Sequence, residues 1–91
     1  MVSTVLIMEE DDRAPIDPHG PDLVYAVIAD RIERRIRAGE FGDAGRLPSE
    51  TDLAEWYGVA RVTVRRAHQE LEQRGLIRIV PGKGTYVTRA G

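Results

Sequence analysis

Leu47-Pro48-Ser49-Glu50-Thr51-Asp52-Leu53-Ala54-Glu55-Trp56-Tyr57-Gly58-Val59-Ala60-Arg61-Val62-Thr63-Val64-Arg65-Arg66-Ala67 is the stretch whose pattern decides the fold. Pro48 stands just before Ser49, a residue type that caps helices by accepting a bond from an otherwise unpaired amide. Glu50 and Asp52 then put negative charge in the first turn, where the helix dipole favours it. A helix is predicted from Glu50 to Tyr57, with Leu53, Ala54 and Tyr57 facing inward and Trp56 packed as a filler against a neighbouring helix. Gly58 ends it, because the left-handed backbone of a helix end is most accessible without a β-carbon. From Arg61 to about Arg74 a longer helix is predicted, with Val64, Ala67, His68 and Leu71 on one face and Gly75 as its stop. His68 is expected to be a packed, hydrogen-bonded histidine, since no second metal-binding residue type lies at helical spacing from it.

Upstream, Tyr25, Ile28, Ala29, Ile32 and Ile36 recur at helical spacing, predicting a first helix capped by Asp22 and ending near Gly39. Its other face, with Asp30, Arg31, Glu33, Arg34 and Arg37, reads as a solvated face of mixed charge. Gly39 to Gly45 reads as a connection. Downstream, the β-rich runs Leu76 to Val80 and Thr85 to Val87 flank Pro81-Gly82-Lys83-Gly84, which is the signature of a hairpin. Residues 1–21 combine an acidic cluster with Pro15, Pro18, Gly20 and Pro21 and have no sustained apolar period, so they read as a disordered acidic arm. The expected organisation is arm 1–21, domain 22–88 and tail 89–91. The fold class is mainly α with a small β-hairpin: a winged helix-turn-helix of three helices plus a C-terminal wing.

Composition narrows the function. A chain of 91 residues supports one small core, and with one Phe and one Trp that core must be aliphatic. Cysteine is absent and the histidines are His19 and His68, which excludes disulfides and the common Cys/His zinc sites. Neither a nucleophile with a neighbouring base nor a strand-to-helix phosphate loop is present, so an enzyme is not expected, nor is any cofactor. The longest apolar run, Val5 to Met8, is far too short for a bilayer, and a cytosolic, nucleoid-associated protein is expected.

The net charge of −2 hides an asymmetry. Residues 1–22 hold six acids against Arg13, a balance of −5, while residues 60–91 hold seven bases against Glu70 and Glu72, a balance of +5. That basic third is the candidate surface for a polyanion. In a helix-turn-helix the second helix enters the DNA major groove, and the side chains near its leading end reach base edges. Those side chains are Arg61, Val62, Thr63, Arg65 and Arg66. Arg61 and Arg65, four residues apart, share a face, and each guanidinium can grip guanine O6 and N7 with two parallel bonds. Thr63 suits a phosphate oxygen or a thymine methyl. The Gly82-Lys83-Gly84 tip lets the backbone approach a phosphate or the minor groove, and Lys83 supplies charge there.

These residues resemble the GntR-type winged helix-turn-helix transcription regulators. The resemblance rests on Leu47-Pro48-Ser49-Glu50, Asp52-Leu53-Ala54, Gly58 to Ala67, Leu71, Gly75-Leu76-Ile77 and Gly82 to Val87, in order and without a gap over residues 25–88. It implies sequence-specific binding of double-stranded DNA by a transcriptional repressor, with base contacts from Arg61 and Arg65. Phosphate or groove contacts would come from Ser49, Val62, Thr63 and Arg66, and wing contacts from Gly82, Lys83 and Gly84. Three positions depart from the family pattern: Thr51 in place of a common arginine, Ala60 in place of Ser or Thr, and His68 in place of a common Leu. Losing the capping hydroxyl at position 60 should cost about 1 kcal/mol of helix stability. Family members continue into a larger domain that binds a metabolite and dimerises, so no effector site is expected within these residues and a homodimer would form on a palindromic operator. The competing reading is a protein-interaction module that uses the acidic arm or an exposed face, and near-neutral total charge is its support.

Overall fold

The computed structural model describes residues 12–17 and 23–88, and their element order is α1 (Val24–Arg37), α2 (Glu50–Tyr57), α3 (Arg61–Gln73), β1 (Ile77–Val80) and β2 (Gly84–Val87). Helix α2 begins where its cap predicts: the Ser49 side chain accepts a 3.0 Å bond from the Asp52 amide, and Gly58 closes the helix with φ 71°. Helix α3 starts from Ala60, which offers no side-chain cap. Helix α1 differs from expectation at its start, where Leu23 occupies the cap position without a side-chain bond. The expected cap, Asp22, lies outside the described residues, as do residues 1–11, 18–21 and 89–91.

The three helices meet on Ile28, Ala29 and Ile32 of α1, Leu53 and Tyr57 of α2, and Val64, Ala67 and Leu71 of α3, each with no exposed surface. Full removal of such side chains from water stabilises the fold by about 1.5–3 kcal/mol each for the larger aliphatics. Arg74, just past α3, ties that helix to α1 through Glu33 at 2.7 Å and Asp30 at 3.0 Å, with Glu70 of its own helix at 3.0 Å. Strands β1 and β2 pair antiparallel with Ile77 opposite Val87 and Val80 opposite Gly84, leaving Pro81 to Lys83 as the wing tip. Inside that turn Lys83 N–H donates to Val80 O at 2.9 Å, and Gly82 takes the positive φ of 77° that its third position favours.

Two features were not read from the sequence. The connection into α2 joins the hairpin: Leu47 N–H donates to Thr85 O at 2.8 Å, Val87 N–H donates to Gly45 O at 2.7 Å, and Arg46 bridges Tyr86. Gly45 is required for this path, because a β-carbon there would stand 1.5 Å from the Phe41 carbonyl oxygen. The wing is thereby held to the start of α2 as well as to the end of α3.

The second feature corrects the reading of residues 12–17 as part of a disordered arm. Ile16 is buried in the core and its amide donates to Tyr57 O at 2.9 Å. Arg31 donates to Ala14 O at 2.9 Å and the Tyr57 hydroxyl to Asp12 O at 2.7 Å, while Asp12 pairs with Arg34 and Arg13 with Glu40. One buried isoleucine with several backbone bonds is enough to order a short strap, although neither produces a periodic sequence pattern.

Candidate nucleic-acid interface

Helical geometry of about 100° per residue sorts the side chains of α3. Val64, Ala67, His68 and Leu71 form the buried stripe, so Arg61, Val62, Arg65 and Arg66 occupy the outer half of the helix and all four are exposed. Arg61 and Arg65 retain 62% and 50% of their side-chain exposure, so the two expected base-reading groups stand at the surface. They are not without company. Glu50, the first residue of α2, accepts from Arg65 Nε at 3.2 Å and Nη2 at 3.0 Å, and Arg61 Nη2 lies 3.9 Å from the same carboxylate. The bond from Arg65 holds the Glu50 carboxyl below its usual range, and the same bond pushes the Arg65 guanidinium further up. Both groups therefore remain ionised throughout the neutral range.

A groove of about 400 Å³ runs between the wing and the start of α2, and it gathers Ser49, Arg61, Gly82, Lys83 and Gly84, five of the nine candidate residues. Ser49 oxygen is used as an acceptor in its cap, which leaves its O–H to donate outward. The same groove contains Arg46 and Glu50, which the sequence reading did not single out. Arg46 packs across the wing, with its Nε 2.7 Å from where a β-carbon of Gly84 would stand; Gly84, at φ 140°, thus gives the arginine passage. Its signal in the sequence is the alternation Gly45-Arg46-Leu47, which reads as a short extended segment with the arginine on the open side. Glu50 was read only as first-turn charge, since its contact with Arg65 forms across the helix-turn-helix.

Arg65 stands beside the groove on Glu50, and the remaining three candidates lie along the opposite edge of α3. Val62, Thr63 and Arg66 line a hollow of about 290 Å³ with Val24 and Tyr25 of α1, and the Arg66 guanidinium sits 4.2 Å from the Tyr25 ring centroid. Arg66 thus belongs to this edge and is not grouped with Arg61 and Arg65. A larger hollow of about 520 Å³ on the hairpin is lined by Ala44, Arg78, Val80, Lys83, Tyr86, Val87 and Thr88; it contains no residue of α3 and shares only Val80 and Lys83 with the groove.

His68 faces the core with 2% of its surface exposed, and its Nε2 has no hydrogen-bond partner, which corrects the expectation of a hydrogen-bonded histidine. Burial pushes its pKa below the ordinary value, against the opposing pull of the Glu50 charge. Neutral His68 thus fills a place that an apolar side chain would fill without leaving a polar atom unpaired. Among the described residues no group of three or more His, Cys, Asp or Glu is arranged to hold a metal ion, and no described helix is long and apolar enough to cross a membrane.

Residues 24–87 match the family described as bacterial regulatory proteins, gntR family. The chain is 42% identical over 68 residues to the mannosyl-D-glycerate transport/metabolism system repressor MngR of Escherichia coli, a match covering 75% of this chain and 28% of that protein. It is 35% identical over 74 residues to the transcriptional repressor NagR of Bacillus subtilis, covering 81% of this chain and 30% of that one. These relatives are transcriptional regulators rather than enzymes, and the chain spans less than a third of the length of either. Among solved structures it resembles the AraR DNA-binding domain in complex with operator ORE1, with TM-score 0.72, 31% identity, and coverage of 82% of this chain and 92% of that one. The three helices and two-stranded hairpin are therefore a winged helix-turn-helix.

Proposed function

The chain belongs to the gntR family of bacterial regulatory proteins, and from that premise we propose that it is the DNA-reading part of a transcriptional regulator, acting as a repressor that occludes a promoter. Helix α3 enters the major groove and the wing lies at the backbone or minor groove. The observation that carries this reading is the exposure of Arg61 and Arg65 side by side at the leading end of α3. Two guanidinium groups there can each bind one guanine edge with paired hydrogen bonds. The Glu50 carboxylate, bonded by Arg65 and ion-paired with Arg61 at 3.9 Å, supports the same reading, because a restrained arginine loses less freedom on docking. Glu50 is also an acceptor of the kind that cytosine N4 uses, so the trio can read a guanine-cytosine step.

Ser49, Thr63 and the amides opening α3 take phosphate oxygens, while Gly82, Lys83 and Gly84 bring charge and unobstructed backbone to the duplex beside them. Arg46 extends that positive edge along the groove. Two copies of the chain would read the halves of a palindromic site about one helical turn apart. Selection of bound sequences from random duplex DNA at fixed salt tests the proposal. Enrichment of one motif with two related half-sites is expected. Recovery of unrelated sequences with no enrichment would overturn it.

A further inference from the structure

Val62 sits at the apex of the exposed face of α3. Its direction, about 100° on from Arg61 and about 60° from Arg65, falls opposite the stripe of Val64, Ala67, His68 and Leu71. At 64% exposure it is one of three large hydrophobic side chains exposed among the described residues, and it is the one on α3. Folding favours it there only weakly, since it lines the rim of the hollow beside Val24 and Tyr25 and still keeps most of its surface exposed. It contributes little to the core, and a β-branched residue is a poorer helix former than alanine. Its neighbours on the outer face are arginines, which solvate a helix surface better than an isopropyl group does.

Resting on the DNA-binding reading above, we propose that Val62 is a specificity-determining residue that recognises the C5-methyl group of a thymine in the major groove. The thymine methyl is the apolar group that the four bases present on that side, and aliphatic side chains are its natural partners. Length supports the assignment. The short Val62 side chain touches a base only where the helix lies deepest in the groove, which is the apex of its outward face. The longer Arg61 and Arg65 reach in from one flank. Arg65 is three residues further along α3, about 4.5 Å of rise, so the thymine lies within about two base steps of the guanine that Arg65 reads. Thr63, which could suit either partner by chemistry, lines the same hollow as Val62 but is half-buried and turned about 100° further round α3, so it is left for the phosphate.

The test uses the full chain and the duplex recovered by selection. Each thymine is replaced in turn by deoxyuridine, which removes the methyl group and leaves every hydrogen bond intact. Affinities are measured for the natural chain and for Val62→Ala, whose helix propensity is higher, so that folding is retained. Losing one buried methyl contact should weaken the natural chain about fourfold at one thymine per half-site. The same replacement should change Val62→Ala by less than about half that factor. Equal losses for the two proteins at every position, or no loss at any thymine, would overturn the assignment while leaving DNA binding intact; the latter is also the result expected of a Val62 that serves a protein contact. Recovery of no duplex at all would overturn the DNA-binding reading and this inference with it.

Discussion

The arginines at the back of the fold and those at the leading end of α3 are the same residue type in opposite circumstances. Arg35 is 3% exposed, sandwiched with its guanidinium 5.1 Å from the Phe41 centroid and 4.9 Å from that of Trp56. It donates to Glu40 at 2.7 Å and to the Tyr57 hydroxyl at 2.9 Å. Arg74 answers three carboxylates at once. Arg61 and Arg65, in contrast, are at least half exposed and share the single carboxylate of Glu50. A cation engaged from several sides by the protein is part of the scaffold. One held lightly at the surface, with donors to spare, is available to a ligand.

The contrast is broken most severely by Arg35→Ala. The substitution strips Glu40 of its buried partner, leaves the Tyr57 hydroxyl one bond short and opens the space between Phe41 and Trp56. It should cost about 3 kcal/mol of stability in urea denaturation. The fraction that remains folded should bind DNA as before. Arg65→Ala should do the reverse: an unfolding midpoint within experimental error of the parent, roughly ten- to hundredfold weaker binding, and a relaxed preference at one base position. If Arg65→Ala destabilised the fold as much as Arg35→Ala does, the division between scaffold and ligand-facing cations would be wrong.

Lys83→Ala sharpens the picture at the wing. Titrations by fluorescence anisotropy at several salt concentrations should show weaker binding to every sequence alike, with the salt slope reduced by about 1. The smallest effect concerns acid sensitivity. Burial holds the folded-state pKa of His68 below its ordinary 6.5, so the unfolded chain binds the proton more readily. Stability is then complete above about pH 6.5, declines as the pH falls below it, and levels off below the folded value. Thermal melts at pH 7.5 and 5 should show this loss, and His68→Leu should make the two melts more alike. The lowered carboxyls of Glu33, Glu40 and Glu50 add their own losses only at more acid pH, as each is protonated.

Local chemistry was legible in the sequence; contacts across the fold were not. Helices α2 and α3 were readable because Ser49, Gly58 and Gly75 mark their ends and the apolar spacing marks their inner faces. The strap at residues 12–17 was hidden because backbone bonds to Tyr57 and Arg31 leave no trace in composition. Arg35 lies seven residues from Ile28 and three from Ile32, on the core stripe of α1, so its burial had a signal that its charge obscured. Charge counting misjudged the interface in both directions. It included Arg74, which three acids of the fold engage, and it began past Arg46, which lines the groove.

The central claim is that arginines at the leading end of α3 grip guanine edges in the major groove, and methylation interference with dimethyl sulfate tests it most directly, since the reagent blocks guanine N7. On the selected duplex, methylation at one or two guanines per half-site should abolish binding of the natural chain, and for Arg65→Ala one of those positions should lose its effect. Binding that persists whichever guanine N7 is methylated would contradict the account.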